Sequence, residues 1–107
     1  ILLFLIQIMN NYSEKEYEIF SRLFILDEFS EENLKLLSKI NVGIIGMGGI
    51  GCPLSQYLVS SGIKELFLAD GDIVEKSNLN RQTLFNLNDI GKKKVCMAKN
   101  RLELINT

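Results

Sequence analysis

The chain has 107 residues, 47% of them hydrophobic and 23% charged, with a single proline. That is the composition of one small globular domain rather than a disordered segment, though it is short for an α/β nucleotide-binding unit. A net charge of -1 and no histidine argue against a general nucleic-acid surface, and exclude imidazole metal ligands and histidine general bases from within the chain. Cys52 and Cys96 form no Cys-x-x-Cys pair, so neither a disulfide framework nor a zinc site follows. Reduced thiols in a cytoplasmic protein are the simplest expectation.

Residues 1–9 are strongly apolar, but no basic residue precedes them and they span about half the length needed to cross a bilayer. They read as neither a targeting signal nor a membrane segment. Residue 1 is not methionine, and Met9 precedes the polar Asn10-Asn11-Tyr12-Ser13. Residues 1–12 are therefore expected to be an apolar N-terminal extension, with 1–8 upstream of the natural start; the alternative is a hydrophobic arm that packs on a partner. Residues 13–40 are expected to form two short helices. Ser13 and Glu16 have capping-box spacing, with Tyr17, Phe20, Leu23 and Phe24 at helical intervals. Ser30 caps the second helix, in which Leu34, Leu37 and Ile40 form the apolar stripe while Glu31, Glu32, Lys35 and Lys39 face water.

The run Asn41-Val42-Gly43-Ile44-Ile45-Gly46-Met47-Gly48-Gly49-Ile50-Gly51 is a short apolar strand that breaks into closely spaced glycines where a helix can start. Glycine serves such a turn because its backbone angles are closed to other residues and because a side chain would hold a phosphate away from the N–H groups. Pro53 suits the first helical turn, Gly62 the helix end, and Ile50, Leu54, Tyr57, Leu58 and Ser61 recur at the spacing of one helix face. Leu66-Phe67-Leu68-Ala69 then reads as a parallel strand covered on both faces, ending in Asp70. Residues 71–91 are polar and Asn-rich without a period, expected as a long loop with at most a helical turn or two. A last helix runs from about Lys93, with Val95, Ala98, Leu102 and Ile105 inward.

The predicted fold is thus α/β: a Rossmann-like parallel sheet with flanking helices, preceded by two short helices. Residues 41–107 form an incomplete nucleotide-binding domain, the N-terminal part of such a half. Gly46, Gly48, Gly49 and Gly51 would cradle phosphates, and Asp70 sits where an acid meets ribose hydroxyls; Asp72 would serve the nucleotide or simply cap the loop. An NAD- or FAD-binding oxidoreductase domain explains everything up to Asp70, but leaves Ser77-Asn78-Leu79-Asn80-Arg81-Gln82-Thr83 unused. That segment gathers amide, hydroxyl and guanidinium donors at the phosphate edge, which suits a triphosphate.

These three motifs, the glycine run, Asp70-Gly71-Asp72-Ile73-Val74 and Ser77-Asn78-Leu79-Asn80-Arg81-Gln82, closely resemble the ThiF/MoeB/HesA family, bacterial relatives of ubiquitin-activating enzymes. The resemblance runs from about Tyr17 to the end. It implies an adenylyltransferase that uses ATP to activate the C-terminal glycine of a ubiquitin-like sulfur-carrier protein of ThiS or MoaD type as an acyl-adenylate. It implies further that Gly49 lies against the phosphates, that Asp70 binds the ribose, and that Ser77, Asn78 and Arg81 lie at the phosphates. Lys94 would contact the nucleotide, and Arg22 would reach into the neighbouring site of a homodimer. Without the resemblance, Arg22 and Lys94 read as ordinary solvated charges, and Cys52 is a packing residue in many relatives. Carboxylate attack on the α-phosphorus expels pyrophosphate, so charge builds on phosphate oxygens that Arg22, Arg81 and Lys94 would stabilise.

In the family, the aspartate that holds Mg2+, the zinc-binding cysteine pairs and the carrier-docking surface come later than Thr107. No metal ligand is therefore assigned within the chain, which is expected to be an N-terminal piece of a longer protein. Inactive halves of heterodimers also occur on this fold, so a non-catalytic partner subunit stays open as an alternative.

Overall fold

The two predicted strands pair in parallel: β2 (Asn41–Ile45) lies beside β3 (Glu65–Asp70), with Val42 opposite Leu66 and Ile44 opposite Leu68. The computed structural model describes residues 4–9, 18–26 and 29–105, with residues 4–9 and 31 described by their backbone. Within these, a third strand covers the far edge of β3. β1 (Phe4–Met9) runs antiparallel to it from Phe4 opposite Asp70 to Met9 opposite Glu65, giving the order β1-β3-β2. The apolar start is thus strand in the structure. A lone apolar run carries no turn signal that names its neighbour, whereas the open N–H and C=O groups along β3 supply one.

Ser13, Glu16 and Tyr17 lie outside the described residues. Residues 18–19 are helical, but the predicted helix does not continue through Leu23 and Phe24. From Phe20 the chain closes i to i+3 bonds, Leu23 N–H to Phe20 O at 2.9 Å and Leu26 N–H to Leu23 O at 3.1 Å, around a 3₁₀ turn at Leu23–Ile25. The tighter turn buries Phe20 and brings Phe24 against Phe29, ring centroids 5.7 Å apart. Ser30 caps α1 (Glu31–Leu37) by accepting the Asn33 N–H at 3.3 Å. Of its predicted stripe, Leu34 is fully buried and Leu37 half-buried; Ile40 falls beyond the helix end and is exposed.

α2 (Gly51–Ser60) starts at the glycine turn and ends before Gly62, whose φ of 106° is the left-handed conformation of a helix stop. Its orientation corrects the expected stripe. Gly51, Cys52, Ser55 and Val59 face inward, whereas Ile50 (81% exposed), Leu54 and Tyr57 (73%) face outward, with Leu58 half-buried. Both sets recur at helical spacing, so periodicity does not choose between them; close approach does. A Cβ on Gly51 would lie 2.1 Å from the Gly46 carbonyl oxygen, and only the small-residue face lets the helix sit this near the strand it leaves.

Residues 71–91 form the expected loop, with 3₁₀ turns at Lys76–Asn78 and Leu87–Asp89. Its ends are tied: Val74 N–H donates to Lys92 O at 2.8 Å, Gly91 N–H to Val74 O at 2.8 Å and Lys94 N–H to Asp72 O at 3.0 Å. Val74, Leu84 and Phe85 fold back into the core. α3 (Lys94–Glu103) then packs over β1 and β3 beside α2, burying Val95, Ala98 and Leu102 completely as predicted, with Ile105 half-buried. Asp89 anchors the loop on this helix through a 2.8 Å ion pair with Arg101. No helix among the described residues is long and apolar enough to cross a membrane.

Replacing Gly51 by alanine should destabilise the chain by about 3 kcal/mol, because the methyl group meets rigid backbone rather than a movable side chain. Thermal or urea unfolding of Gly51→Ala beside Gly43→Ala, whose added Cβ meets nothing within 4 Å, measures the difference.

Candidate nucleotide site

The C-terminal ends of β2 and β3 carry the site, and a carboxylate joins them. Asp70, 9% exposed, accepts the Met47 N–H on Oδ2 at 2.7 Å and the Asp72 N–H on Oδ1 at 2.7 Å. One carboxylate thus holds the start of the glycine turn and the first bend of the long loop. Each oxygen keeps a further lone pair for a donor from a ligand.

The turn itself extends the sheet by one bond, Gly46 N–H to Ala69 O at 2.7 Å, with Gly46 at φ 95°. Beyond Met47, the N–H groups of Gly48, Gly49, Ile50 and Gly51 donate to no described residue. These are the orphan donors of a helix N-terminus, adjoining the positive end of the α2 dipole. Arg81 closes over them: its Cγ and Cδ lie 3.7 and 3.8 Å from where a Cβ on Gly49 would sit. Its guanidinium is aimed by two hydrogen bonds of 3.0 Å, to the Ser77 carbonyl and to Asn80 Oδ1, and stays exposed.

Lys94 opens α3 from a buried position, 6% exposed, and forms no ion pair with a described residue. It lines a recess of about 170 Å³ with Asp72, Ile73, Glu75 and Asn78. Asn78 is buried and structurally employed: its Oδ1 accepts the Glu75 N–H at 2.8 Å in a reciprocal capping box, leaving its Nδ2 without a described acceptor. Ser77 is exposed, its carbonyl taken by Arg81, and Asp72 is exposed at the recess. The structure therefore gathers the glycine turn, Asp70, Asp72, Ser77, Asn78, Arg81 and Lys94 at one sheet edge.

Arg22 is not among them. It is exposed on an open, mostly apolar groove of about 510 Å³ that also takes in Phe29, Leu37, Tyr57, Ser60 and Ser61. That groove is at the C-terminal end of α2, roughly 15 Å from the turn by the helix rise. Among the described residues no three acidic or thiol side chains come together as metal ligands.

Cys52 is sealed beneath the turn, its thiol donating to the Met47 carbonyl at 3.5 Å. Burial pushes the thiol above its ordinary value, against smaller opposing pulls from the Leu84 backbone N–H and the Lys94 charge. It is a packing group and not a poised nucleophile. The motif reading named Gln82 without its burial beside Gly48, and it missed the Asp89–Arg101 pair altogether. The Asn86-x-x-Asp89 capping spacing could have flagged Asp89; no pattern marks Gln82 as buried.

The family model described as "ThiF family" matches residues 20–107. The chain belongs to the ThiF family. Among its ThiF-family relatives, it is 41% identical over 98 residues to the molybdopterin-synthase adenylyltransferase of Escherichia coli, covering 92% of this chain and 39% of the relative. Against the sulfur carrier protein adenylyltransferase of Thermus thermophilus the identity is 35% over 95 residues, covering 89% and 35%. The chain thus spans well under half the length of these relatives. Among solved structures, E. coli MccB superposes with a TM-score of 0.77 at 38% identity, over 91% of this chain and 28% of that one. E. coli tRNA N6-threonylcarbamoyladenosine dehydratase, TcdA, in complex with AMP gives 0.76 at 26%, over 88% and 37%. MccB with ATP gives 0.67 at 29%, over 90% and 37%.

Two outcomes test this site. Iodoacetamide at pH 8 should modify half-buried Cys96 readily and Cys52 only on unfolding, as mass spectrometry of digested peptides would show. Asp70→Asn should cost about 1–3 kcal/mol, since an amide leaves one of the two N–H donors without an acceptor, and denaturant unfolding reads that loss.

Proposed function

We propose that this chain supplies the nucleotide-binding part of an ATP-dependent adenylyltransferase acting on the C-terminal glycine of a ubiquitin-like sulfur-carrier protein of ThiS or MoaD type in the cytoplasm. The observation that carries the reading is the convergence of unbonded N–H groups from Gly48 to Gly51, the aimed Arg81 guanidinium and the buried Lys94 at the end of β3. Three different kinds of donor meet there, and neither cation is ion-paired with a described carboxylate, although Asp72 and Glu75 share the recess of Lys94. Names of the relatives, and the AMP- and ATP-bound neighbours, support the same nucleotide.

The residues fit ATP through a division of labour. Gly48 and Gly49 let phosphate oxygens approach the backbone, while Asp70 offers its remaining lone pairs to ribose hydroxyls. Bound ATP supplies the electrophilic α-phosphorus and the pyrophosphate leaving group. Arg81 and Lys94 hold the negative charge that accumulates on phosphate oxygens as the carrier carboxylate attacks, and the dipole of α2 adds to them. A carboxylate is already ionised at neutral pH, so no general base is needed. Because Arg22 lies at the far end of α2, its part in the reaction would be played in the site of a second subunit, in keeping with a homodimer.

Thermal unfolding of the 107-residue chain should be protected more by ATP than by NAD at equal concentration; the reverse order would favour a dinucleotide oxidoreductase. Residues 20–107 can also replace the matching segment of the E. coli molybdopterin-synthase adenylyltransferase. The chimaera should catalyse carrier-dependent exchange of labelled pyrophosphate into ATP, and Arg81→Ala in it should lower that exchange by about 100-fold. Exchange that ignores Arg81 contradicts the proposed role.

A further inference from the structure

Asp89 and Arg101 stand outside the nucleotide site, yet their ion pair is sunk into the junction from which Lys94 emerges. Asp89 is 4% exposed, and its Oδ2 accepts both the Asn86 N–H at 2.9 Å and Arg101 Nη2 at 2.8 Å. Arg101 is only partly covered, but its Nε is sealed from solvent without a described hydrogen-bond partner. A pair that desolvates two charges and strands a donor adds little to stability, and apolar side chains of similar volume commonly serve as well. What such a pair does supply is a fixed geometry between the elements that carry it.

Those elements are the end of the long loop and α3. Asp89 closes the 3₁₀ turn Leu87–Asp89, and its carbonyl accepts the Lys92 N–H at 3.0 Å. The Lys92 carbonyl in turn accepts the Val74 N–H at 2.8 Å. Lys94 and Arg101 are seven residues apart, two helical turns, so they share one face of α3 about 10 Å apart along its axis. The helix is thus pinned at two points of that face. The Asp72 carbonyl holds its first residue through the Lys94 N–H at 3.0 Å, and Asp89 holds its second turn through Arg101. One point alone would leave α3 free to pivot and roll about the Asp72 bond. Lys94 carries its ammonium on a long stem into the recess beside Asp72, Glu75 and Asn78, where a small change in roll displaces the charge from its target.

We infer that Asp89 and Arg101 are positioning residues for Lys94: their ion pair sets the roll of α3 and so aims the Lys94 ammonium at the phosphate portion of the bound nucleotide. The inference rests on the nucleotide-binding reading and adds to it a remote pair that acts only through Lys94.

The test uses the 107-residue chain and titration calorimetry with ATP, inorganic tripolyphosphate and adenosine, alongside thermal unfolding. Asp89→Asn keeps an acceptor for the Asn86 N–H, and Arg101→Met removes the partner charge without leaving a buried carboxylate alone. Together they should leave the unfolding temperature unchanged or higher, yet weaken ATP and tripolyphosphate about tenfold with adenosine unchanged. In a Lys94→Met background, the same two substitutions should change ATP affinity by less than about twofold, because the group they aim is gone. Parent affinity for ATP in the double variant overturns the inference. So does a tenfold loss that persists on top of Lys94→Met, or a lower unfolding temperature with all three ligands weakened together, which would make the pair structural. If Arg81→Ala weakens ATP binding while the double variant does not, the nucleotide reading stands and this inference falls; a parent chain that binds no ATP overturns both.

Discussion

Both oxygens of the Asp70 carboxylate are held by backbone N–H groups, Met47 on one side and Asp72 on the other, each at 2.7 Å. The two donors belong to segments that leave different strands, so a single buried anion sets the distance between the glycine turn and the long loop. Everything at the site inherits that spacing. Arg81 reaches Gly49 because the loop departs where it does, and Lys94 enters the recess because its own N–H is bonded to the Asp72 carbonyl. Charge-assisted bonds to backbone are stronger than neutral ones, which suits a junction with little else to hold it.

The close approach of Gly51 to Gly46 is the second constraint, and it acts on packing rather than polarity. With no side chain at Gly51, α2 lies near enough to β2 for its first N–H groups to face the space above the strand ends. Cys52, fully buried beneath, fills the volume behind them. This arrangement sends the larger apolar side chains of α2, Ile50 and Tyr57 among them, outward, while Ile45 is 87% exposed on the other face of β2. The inward face is small because it must be close, and the outward face keeps the bulk.

Much of this was legible from the residues in order. The β2, β3 and α3 segments, the Ser30 cap, the Gly62 stop and the loop with two short turns follow from local patterns. The gathering of Asp70, Asn78, Arg81 and Lys94 follows from the strand-turn-helix order and the family motifs. Less legible were the elements whose state depends on distant neighbours. Phe20, Leu23 and Phe24 have helical spacing, yet the chain tightens into a 3₁₀ turn there because Phe20 buries. The two faces of α2 have equal periodicity, and only contact with β2 selects one.

The sequence by itself determined the order of elements, the glycine turn, the identity of the charged groups and, through its motifs, the ThiF family. Those properties are local: backbone freedom at glycine, apolar runs, capping spacings and fixed residue combinations. Tertiary structure decided that β1 pairs with β3, that Asp70 ties the turn to the loop, that Gln82 lies buried against Gly48 and that Arg22 stands apart from the site. These depend on which groups meet across tens of residues, and hydrogen bonding and exclusion of water settle that only once the strands and helices have packed.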